Sequence, residues 1–490
     1  MKERWILGIS YSYVLLPTAL FFLGWVKPWI AVPVCFLLIW FLKRALEEEI
    51  GLFLPTWNRK NIIRGVVMVM MIALWVYFSG IGNLVWQNSD HMARNALYEV
   101  LVYDEWPVVR NIVCEEGTQC RGLIYYIGYW LPAAVVGKIF GMTAGYLFQY
   151  LWAVIGLCAC AVLLNAFMRK WAIWPIALFM IFSGLDALGC ILTGNANQVL
   201  SFVHLERWSG IQFSSFTTQL YWVFNQAVYA WILFALIMLQ KTNKHMIWLW
   251  IMGMITCTFP FVGMMPFVVY VIGRNGKATR ADLAAKKDGI LNGLFSMENL
   301  LGGGIGVVCL VYLAGNLSVH NSTVPVTDIS YIYIQDTENA MYHLIRYSVF
   351  IFVEIGVYYI YVYRWQKKSG LFYISLVWLL LCPFVKVGAG GDFCMRASIP
   401  ALLVLFYMVA DSMQKDLQKR NMQAFFIIML LTVGSVNVIH EIGRSVDITI
   451  QCYQDCSEID NPTSSGEKLL LSNNFSGSVE DNFFFQYLAK

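Results

Sequence analysis

Residues 62–82, IIRGVVMVMMIALWVYFSGIG, decide the class of this protein. The stretch has Arg64 as its one charged residue and shows no alternation of polar and apolar positions. An apolar run of about 17–25 residues can cross a bilayer as a helix, and in lipid only helices or closed barrels satisfy their own backbone. Similar runs recur through 490 residues that are 59% hydrophobic and only 13% charged. We therefore predict an all-α polytopic membrane protein with about 11–13 spans.

Clusters of basic residues predict which ends of the spans face the cytoplasm. They lie at 2–4, 43–64, 169–170, 241–244, 274–287, 364–368 and 415–420. Placing them inside leaves outer loops at 81–121, 191–219 and 316–342, and divides the chain into a transmembrane domain, 1–440, and an outer tail, 441–490. We expect a multi-pass protein of the cell membrane whose first apolar segment is retained as an anchor.

Two regions do not thread as simple spans. Residues 122–167 hold two apolar stretches but need an odd number of crossings, so we expect 122–140 to break or to lie in the outer leaflet. Residues 246–273 must leave and return on one side, in two short pieces around Pro260. Broken helices in membranes line cavities, so these regions indicate where a site can form.

The segment QNSDHMARN, residues 87–95, follows the opening stretch and begins the first outer loop. Met92, Ala96 and Val100 recur every four residues, which predicts a short amphipathic helix suited to the membrane surface. Asp90 stands at its start. It is either a helix cap or a functional carboxylate, and both interpretations fit the sequence.

Other polar residues lie near the predicted outer face, where a substrate or a divalent metal such as Mg²⁺ or Mn²⁺ could bind. A lone carboxylate, Asp186, needs a partner, which is either a buried hydrogen bond or a bound ligand. No His/Cys spacing requires a metal, so no cofactor is certain. The candidates for contact with a substrate or metal are Asp186, His91, Glu206, Asn225, Gln226 and Asp392.

Three cations at outer ends of spans are candidates for binding a phosphate: Arg396, Lys386 and Arg346. A guanidinium offers a fixed fork of donors that suits phosphate oxygens. For Arg396 the alternative is a salt bridge with Asp392, four residues earlier.

Four of the 12 cysteines, Cys114, Cys120, Cys452 and Cys456, fall in segments predicted to be outside, where disulfides persist. Bridges Cys114–Cys120 and Cys452–Cys456, a cross-pairing of loop and tail, and four free thiols all fit the sequence. The chain has no GxxxxGK[ST], GxSxG or HExxH motif, which argues against a nucleotide-driven pump. We expect no nucleic-acid partner.

The order of these features resembles the GT-C superfamily of integral-membrane glycosyltransferases. NSDHMARNAL (88–97) is similar to the acidic residue and surface helix of their first large outer loop. GLIYYIGYWLPAAVVGKIFG (122–141) looks like the stretch that often follows this loop in bacterial members. FSGLD (182–186), WVFNQ (222–226) and DFCMRASIP (392–400) resemble elements of bacterial membrane proteins with this layout, so the resemblance covers most of residues 60–410.

The resemblance implies a GT-C-like helical bundle that transfers a sugar from a polyprenyl-phosphate donor on the outer face of the membrane. The acceptor would be an envelope glycan, a lipid or a protein, and the transfer would be inverting. Asp90 corresponds to the base, and Arg396, with Lys386 and Arg346, would bind the phosphate. The alternatives are a transporter or flippase of lipid-linked sugars and a non-catalytic polysaccharide assembly subunit, which would leave Asp90 and Arg396 far apart.

Overall fold

The computed structural model describes residues 2–48, 50–114, 117–282, 293–316, 340–385, 387, 391–455, 461, 465–480 and 482–490. The first ten helices are α1 Lys2–Trp25, α2 Pro28–Glu47, α3 Arg59–Tyr77, α4 His91–Tyr103, α5 Leu131–Phe140, α6 Met142–Phe167, α7 Trp174–Ile181, α8 Asp186–Leu192, α9 Phe216–Leu239 and α10 Met246–Ile251. The later helices are α11 Thr258–Asp282, α12 Met297–Ala314, α13 Ala340–Ile351, α14 Val357–Gln366, α15 Gly370–Leu381, α16 Asp392–Ala397, α17 Ile399–Lys419, α18 Gln423–Gln454 and α19 Gly466–Leu471. Three short strands complete the fold: β1 Val109–Cys114, β2 Gly117–Leu123 and β3 Ser476–Ser478.

Within the described residues, nine helical segments are long and apolar enough to cross a membrane, which is the architecture of a multi-pass α-helical membrane protein. They are Glu3–Trp25, Pro28–Glu47, Arg59–Tyr77, Met142–Phe167, Trp174–Leu192, Phe216–Leu239, Met297–Ala314, Met341–Gln366 and Gln423–Gln454. Two shorter apolar helices, Leu131–Phe140 and Gly370–Phe384, lie between them. The predicted helical class is thereby confirmed, while the total of 11–13 spans stays a prediction.

The helix α9 is the centre of the bundle. In the most apolar 18 residues of this helix, 83% of the residues are buried. The corresponding share is 22% in α3 and 28% in α2, which present apolar side chains outward as lipid-facing helices do. Helix α9 is interrupted at Val223, whose φ of −138° and ψ of 31° are not helical. This kink lies directly before Phe224, Asn225 and Gln226, so it sets the direction of these three side chains.

The broken segments partly match the prediction. The 122–140 region does break, into a turn of 3₁₀ helix at Ile127–Tyr129 and the ten-residue α5. The 246–273 region does not form the two short pieces that were predicted, since α10 is short but α11 is long. Pro260 lies in the first turn of α11, where a proline is tolerated. A further break, not predicted, separates α7 from α8 directly before Asp186.

The helix predicted in the first outer loop is present as α4. It is not, however, an amphipathic helix that buries only one apolar face. Nine of its 13 residues are buried, including Arg94 and Asn95. Close packing explains this burial, because Tyr98 donates a hydrogen bond to the Ala133 carbonyl oxygen at 3.1 Å and lies where a β-carbon on Gly145 would overlap it. The helix is therefore held inside the protein.

The C-terminal segment is folded onto the β1–β2 hairpin and onto the end of α12. Strand β3 extends the β1–β2 hairpin as a third antiparallel strand, a small sheet that the sequence did not predict. Phe484 is fully buried between Phe21 and Tyr312. Helix α18 continues past residue 440 to Gln454, so the first part of the predicted outer tail is helical.

The two predicted faces of the membrane form two ends of the bundle. At one end, the Lys27 backbone N–H donates to the Leu488 carbonyl oxygen at 2.9 Å, which joins the α1–α2 turn to the tail. At the other end, Arg44 pairs with Glu298 at 3.1 Å and His245 with Glu48 at 3.3 Å, where Arg44 and Glu48 belong to a segment predicted to be cytoplasmic. The absolute orientation stays a prediction.

Candidate functional site

Asp90 stands at the start of α4 but does not cap it. Its side chain makes no capping hydrogen bond, and its backbone φ of −69° and ψ of −24° are already helical. Instead the carboxylate oxygen Oδ2 lies 3.1 Å from Arg94 Nη2, one turn along the helix. The Asp90 side chain is 39% exposed and that of Arg94 only 10%, so the pair presents its carboxylate toward solvent and its cation toward the interior.

The same arrangement occurs a second time, at Asp392 and Arg396 on α16. These residues are also four apart, and Arg396 Nη1 lies 3.4 Å from Asp392 Oδ2. The Arg396 side chain is 9% exposed and the Asp392 side chain 53%. The segments DHMAR (90–94) and DFCMR (392–396) thus share one pattern, an aspartate at a helix start with a buried arginine on the next turn.

The two pairs converge around Tyr125 and Tyr126. Arg396 Nη1 donates a hydrogen bond of 2.9 Å to the Tyr126 hydroxyl, which also contacts the Tyr125 hydroxyl. Arg94 interacts electrostatically with both tyrosines and with Arg396, and Arg396 in turn with Asp90. We call Asp90, Arg94, Tyr125, Tyr126, Asp392 and Arg396 the arginine cluster.

The formal charges of the arginine cluster balance, but its two cations are buried and its two carboxylates are the more exposed partners. Aromatic rings support both cations, with Phe224 5.2 Å from Arg94 and Phe259 5.7 Å from Arg396. Arg94 Nη1 and Arg396 Nε are buried donors without a hydrogen-bond partner among the described residues. A buried donor without a partner is costly, and an anionic ligand would satisfy both.

His91 positions the loop rather than facing a ligand. It is 1% exposed, and its Nε2 lies 3.3 Å from the Tyr221 carbonyl oxygen, which also accepts a 2.9 Å hydrogen bond from Asn88 Nδ2. Burial, followed by the nearby Arg94 charge, lowers the pKa of His91 to about 3. The imidazole is therefore neutral at physiological pH and fastens the start of α4 to α9.

The predicted amides Asn225 and Gln226 lie in the buried part of α9, just after the kink. Gln226 Oε1 accepts a hydrogen bond of 3.3 Å from the Phe259 backbone N–H, and Phe259 in turn supports Arg396. Gln226 Nε2 is buried without a partner among the described residues. Gln226 therefore belongs beside the arginine cluster, while Asn225 is placed only by its burial.

Asp186 and Glu206 form a different cluster, together with Glu354. Asp186 Oδ2 accepts a hydrogen bond of 3.0 Å from Ser183, and Glu354 Oε1 accepts one of 2.9 Å from Trp208 Nε1. Glu206 lies within electrostatic range of both and accepts hydrogen bonds from the Ser215 backbone N–H at 2.9 Å and from Gln212 at 2.7 Å.

The carboxyl cluster and the arginine cluster are neighbours but not one site. Gln212 connects them, since its side chain donates to Glu206 while its carbonyl oxygen accepts a 3.7 Å contact from the Cys394 thiol on α16. The structure thus brings Asp90, Arg396 and Asp392 together. It places Asp186 and Glu206 beyond Gln212.

A network at the same end of the bundle was missed by the sequence reasoning. Glu441 on α18 accepts hydrogen bonds of 2.7 Å from Trp222 and Arg444, and its other oxygen lies 2.7 Å from His204 Nδ1. Burial alone would lower the pKa of His204, but the hydrogen bond to Glu441 and the negative charges of Glu206 and Glu441 together raise it. The contact between Glu441 and His204 holds α18 against the segment 191–219.

Two missed residues carried a readable signal. Glu354 is a lone carboxylate inside an apolar run, which in a membrane indicates a functional or paired group. Arg94 lies four residues after Asp90, a spacing that favours an ion pair on a helix. The meeting of Tyr125 and Tyr126 with Arg396 had no sequence signal, because these residues are about 270 positions apart.

The remaining candidates are placed as follows. Arg346 lies against Gly210, where a β-carbon would be 3.1 Å from its Nη2, and no interaction joins it to Arg396 among the described residues. Lys386 lies outside the described residues. Among the part of the chain that the structure describes, no group of three or more His, Cys, Asp or Glu residues is arranged to hold a metal ion.

The predicted Cys114–Cys120 bridge is wrong, because Cys120 is a free cysteine. In the β1–β2 ladder Cys114 pairs with Gly117 and Cys120 with Asn111, three residues apart, or about 10 Å along the strands. A disulfide requires a Cα separation below about 7 Å. The bridges that involve Cys456 lie outside the described residues.

No family model, no curated protein and no solved structure matches this chain. What the fold defines is therefore a class, a multi-pass α-helical membrane protein with two buried arginines and two aspartates gathered at one end of its bundle.

Proposed function

We propose that this protein is an inverting membrane glycosyltransferase of the GT-C type, which transfers a sugar from a polyprenyl-phosphate donor to an envelope glycan, lipid or protein acceptor on the outer face of the membrane. One observation carries the proposal: Asp90, the candidate base, lies 3.1 Å from Arg94, a buried cation whose Nη1 has no hydrogen-bond partner among the described residues. A base and a phosphate-binding cation must be close for this chemistry. A non-catalytic assembly subunit has no such requirement.

The arginine cluster suits the leaving group of the transfer. As the bond between the sugar and the lipid phosphate breaks, negative charge grows on the phosphate oxygen. Buried cations act strongly on that charge, since the surroundings of Arg94 and Arg396 are poor in water. The free donors Arg94 Nη1 and Arg396 Nε supply hydrogen bonds without first losing protein partners.

Asp90 suits the role of general base. Its carboxylate is the exposed member of its ion pair, so an acceptor hydroxyl can reach it. In the proposed step the acceptor oxygen attacks the anomeric carbon and forms the new glycosidic bond, while its proton passes to Asp90. The bond from the anomeric carbon to the phosphate oxygen breaks, and the lipid phosphate leaves with the electron pair.

The test is sugar transfer by the purified full chain, supplied with a polyprenyl-phosphate-linked sugar and envelope acceptors. Asp90→Asn removes the base but keeps an oxygen acceptor for Arg94, so we expect activity to fall about 10²–10⁴-fold while the folded protein is retained. Asp411→Asn is the matched control. Asp411 also pairs with a cation four residues on, Lys415, at 2.6 Å, but at the predicted cytoplasmic end.

Equal transfer by the Asp90→Asn variant and the wild type would overturn the assignment of the base. No transfer by the wild type with any such donor, combined with movement of the intact lipid-linked sugar across vesicles, would favour the flippase alternative.

A further inference from the structure

An apolar cavity of about 610 Å³ shares no lining residue with the arginine cluster and takes no part in the proposed transfer. Its walls come from the start of α1, from residues 54–57, from α3 and from the end of α6. Ligand pockets in proteins commonly measure about 300–1,000 Å³. The lining includes three tryptophans, Trp5, Trp57 and Trp171, a residue type enriched where membrane proteins meet the headgroup layer.

The length of this cavity matches one leaflet of a bilayer. Along α3 its lining extends from Asn61 to Met70, which is nine steps from residue to residue, or about 14 Å of helix rise. Half of a hydrocarbon core of about 30 Å is about 15 Å. Since α3 begins at Arg59, the cavity starts at the level of the predicted cytoplasmic headgroups and ends near the middle of the membrane.

The mouth of the cavity is basic. Arg64 Nη1 donates hydrogen bonds to the Trp171 carbonyl oxygen at 3.2 Å and to Asn61 Oδ1 at 3.3 Å, which fixes a cation on two lining residues. Arg59 and Lys60 are exposed on the first turn of α3, next to Asn61. Two more exposed cations, Arg4 and Lys170, directly precede Trp5 and Trp171.

Glu3 is the acidic residue closest in sequence to this mouth, and it accepts hydrogen bonds from the backbone N–H groups of Gly51 at 2.6 Å and Leu52 at 3.2 Å. Its one negative charge stands against five positive charges, those of Arg4, Arg59, Lys60, Arg64 and Lys170. The mouth therefore keeps an excess of positive charge, and the wall below it is apolar. This combination matches an anionic headgroup joined to a hydrocarbon chain.

We propose that this cavity binds one acyl chain of an anionic phospholipid from the cytoplasmic leaflet, with the headgroup held at the mouth by Arg59, Lys60 and Arg64. The bound lipid fills the space between α1, α3 and α6 and supports a part of the bundle where α3 has few protein contacts of its own. The site does not depend on the proposed transferase activity.

Native mass spectrometry of the purified full chain with phosphatidylglycerol, phosphatidylcholine or a polyprenyl phosphate tests the proposal. We expect the wild type to retain one phosphatidylglycerol in preference to phosphatidylcholine. The double variant Arg59→Gln/Lys60→Gln keeps the cavity but lowers that preference about 25-fold, since each basic residue near an anionic surface contributes about fivefold.

A second variant fills the cavity itself. At Gly65 an added β-carbon would meet only Trp171, at an ordinary 3.8 Å, so Gly65→Trp places its ring in the open space. We expect it to lose the retained lipid. Ile63→Trp is the matched control, because Ile63 is 52% exposed on the same helix and does not line the cavity.

Equal lipid retention by the Gly65→Trp variant and the wild type would overturn the proposal, as would equal binding of phosphatidylcholine and phosphatidylglycerol by the wild type. Displacement of phosphatidylglycerol by the polyprenyl phosphate would also overturn it, since the cavity would then belong to a prenyl lipid. If Gly65→Trp does not fold, the double variant Arg59→Gln/Lys60→Gln tests the proposal, and an unchanged preference for phosphatidylglycerol in that variant would overturn it.

Discussion

The buried His91 predicts a specific loss of stability in mild acid. In the folded protein its pKa is lowered to about 3 by burial and by Arg94, whereas an unfolded chain gives histidine a pKa of about 6.5. The unfolded chain therefore binds the proton more tightly. The contribution of the neutral imidazole is fully present above pH 6.5 and is lost progressively as the pH falls toward 3.

The magnitude follows from the two pKa values. Each unit between the ordinary pKa and the working pH costs about 1.4 kcal/mol, so at pH 5 the free energy of unfolding should fall by about 2 kcal/mol from this group alone. With an unfolding entropy of about 2.1 cal/mol/K per residue, this loss lowers the melting temperature by about 2 °C.

The assay compares the melting temperatures of the wild type and His91→Gln in detergent at pH 7.5 and pH 5. The glutamine amide can still donate to the Tyr221 carbonyl oxygen, which the imidazole approaches at 3.3 Å, but it does not titrate. All other groups titrate alike in both proteins, so the difference between the two pH-dependent shifts isolates His91. An identical shift in both proteins would refute the reasoning that burial keeps this histidine neutral.

Three further substitutions test other parts of the structure. Arg396→Lys should raise the KM for the phosphate-linked donor about 10–100-fold without a comparable loss of stability, since an ammonium cannot reproduce the guanidinium fork; an unchanged KM would contradict the phosphate-binding role. Glu354→Leu should cost about 1–3 kcal/mol more than Glu354→Gln, because the glutamine oxygen can still accept the 2.9 Å hydrogen bond from Trp208 Nε1 and leucine leaves that buried donor unpaired; equal losses would contradict the role of this hydrogen bond. Phe484→Ala should cost about 3–5 kcal/mol of unfolding free energy and Phe483→Ala very little, since the first ring is fully buried and the second 59% exposed; similar melting temperatures would contradict the docking of the tail.

Much of the fold was predictable because lipid leaves the backbone few choices. A long apolar run in a membrane has to be a helix, so the span around 62–82 was predicted from composition and length, whereas the break in 122–140 followed from the odd number of crossings that the basic clusters require. The helix after Asp90 was predicted from its apolar spacing. The β1–β2–β3 sheet was not, because its third strand is only three residues long and comes from the far end of the chain.

The candidate site shows the same division. The sequence alone determined that Asp90, Asp186 and Arg396 are unusual, because charge in an apolar chain is costly. It did not determine which of them meet. That was decided by how α4, α16 and the turn at Tyr125–Tyr126 pack around α9, and it separated Asp186 from Asp90 and joined Asp90 to Arg396. Contacts between residues hundreds of positions apart depend on the packing of whole helices, and no local pattern in the chain records that packing.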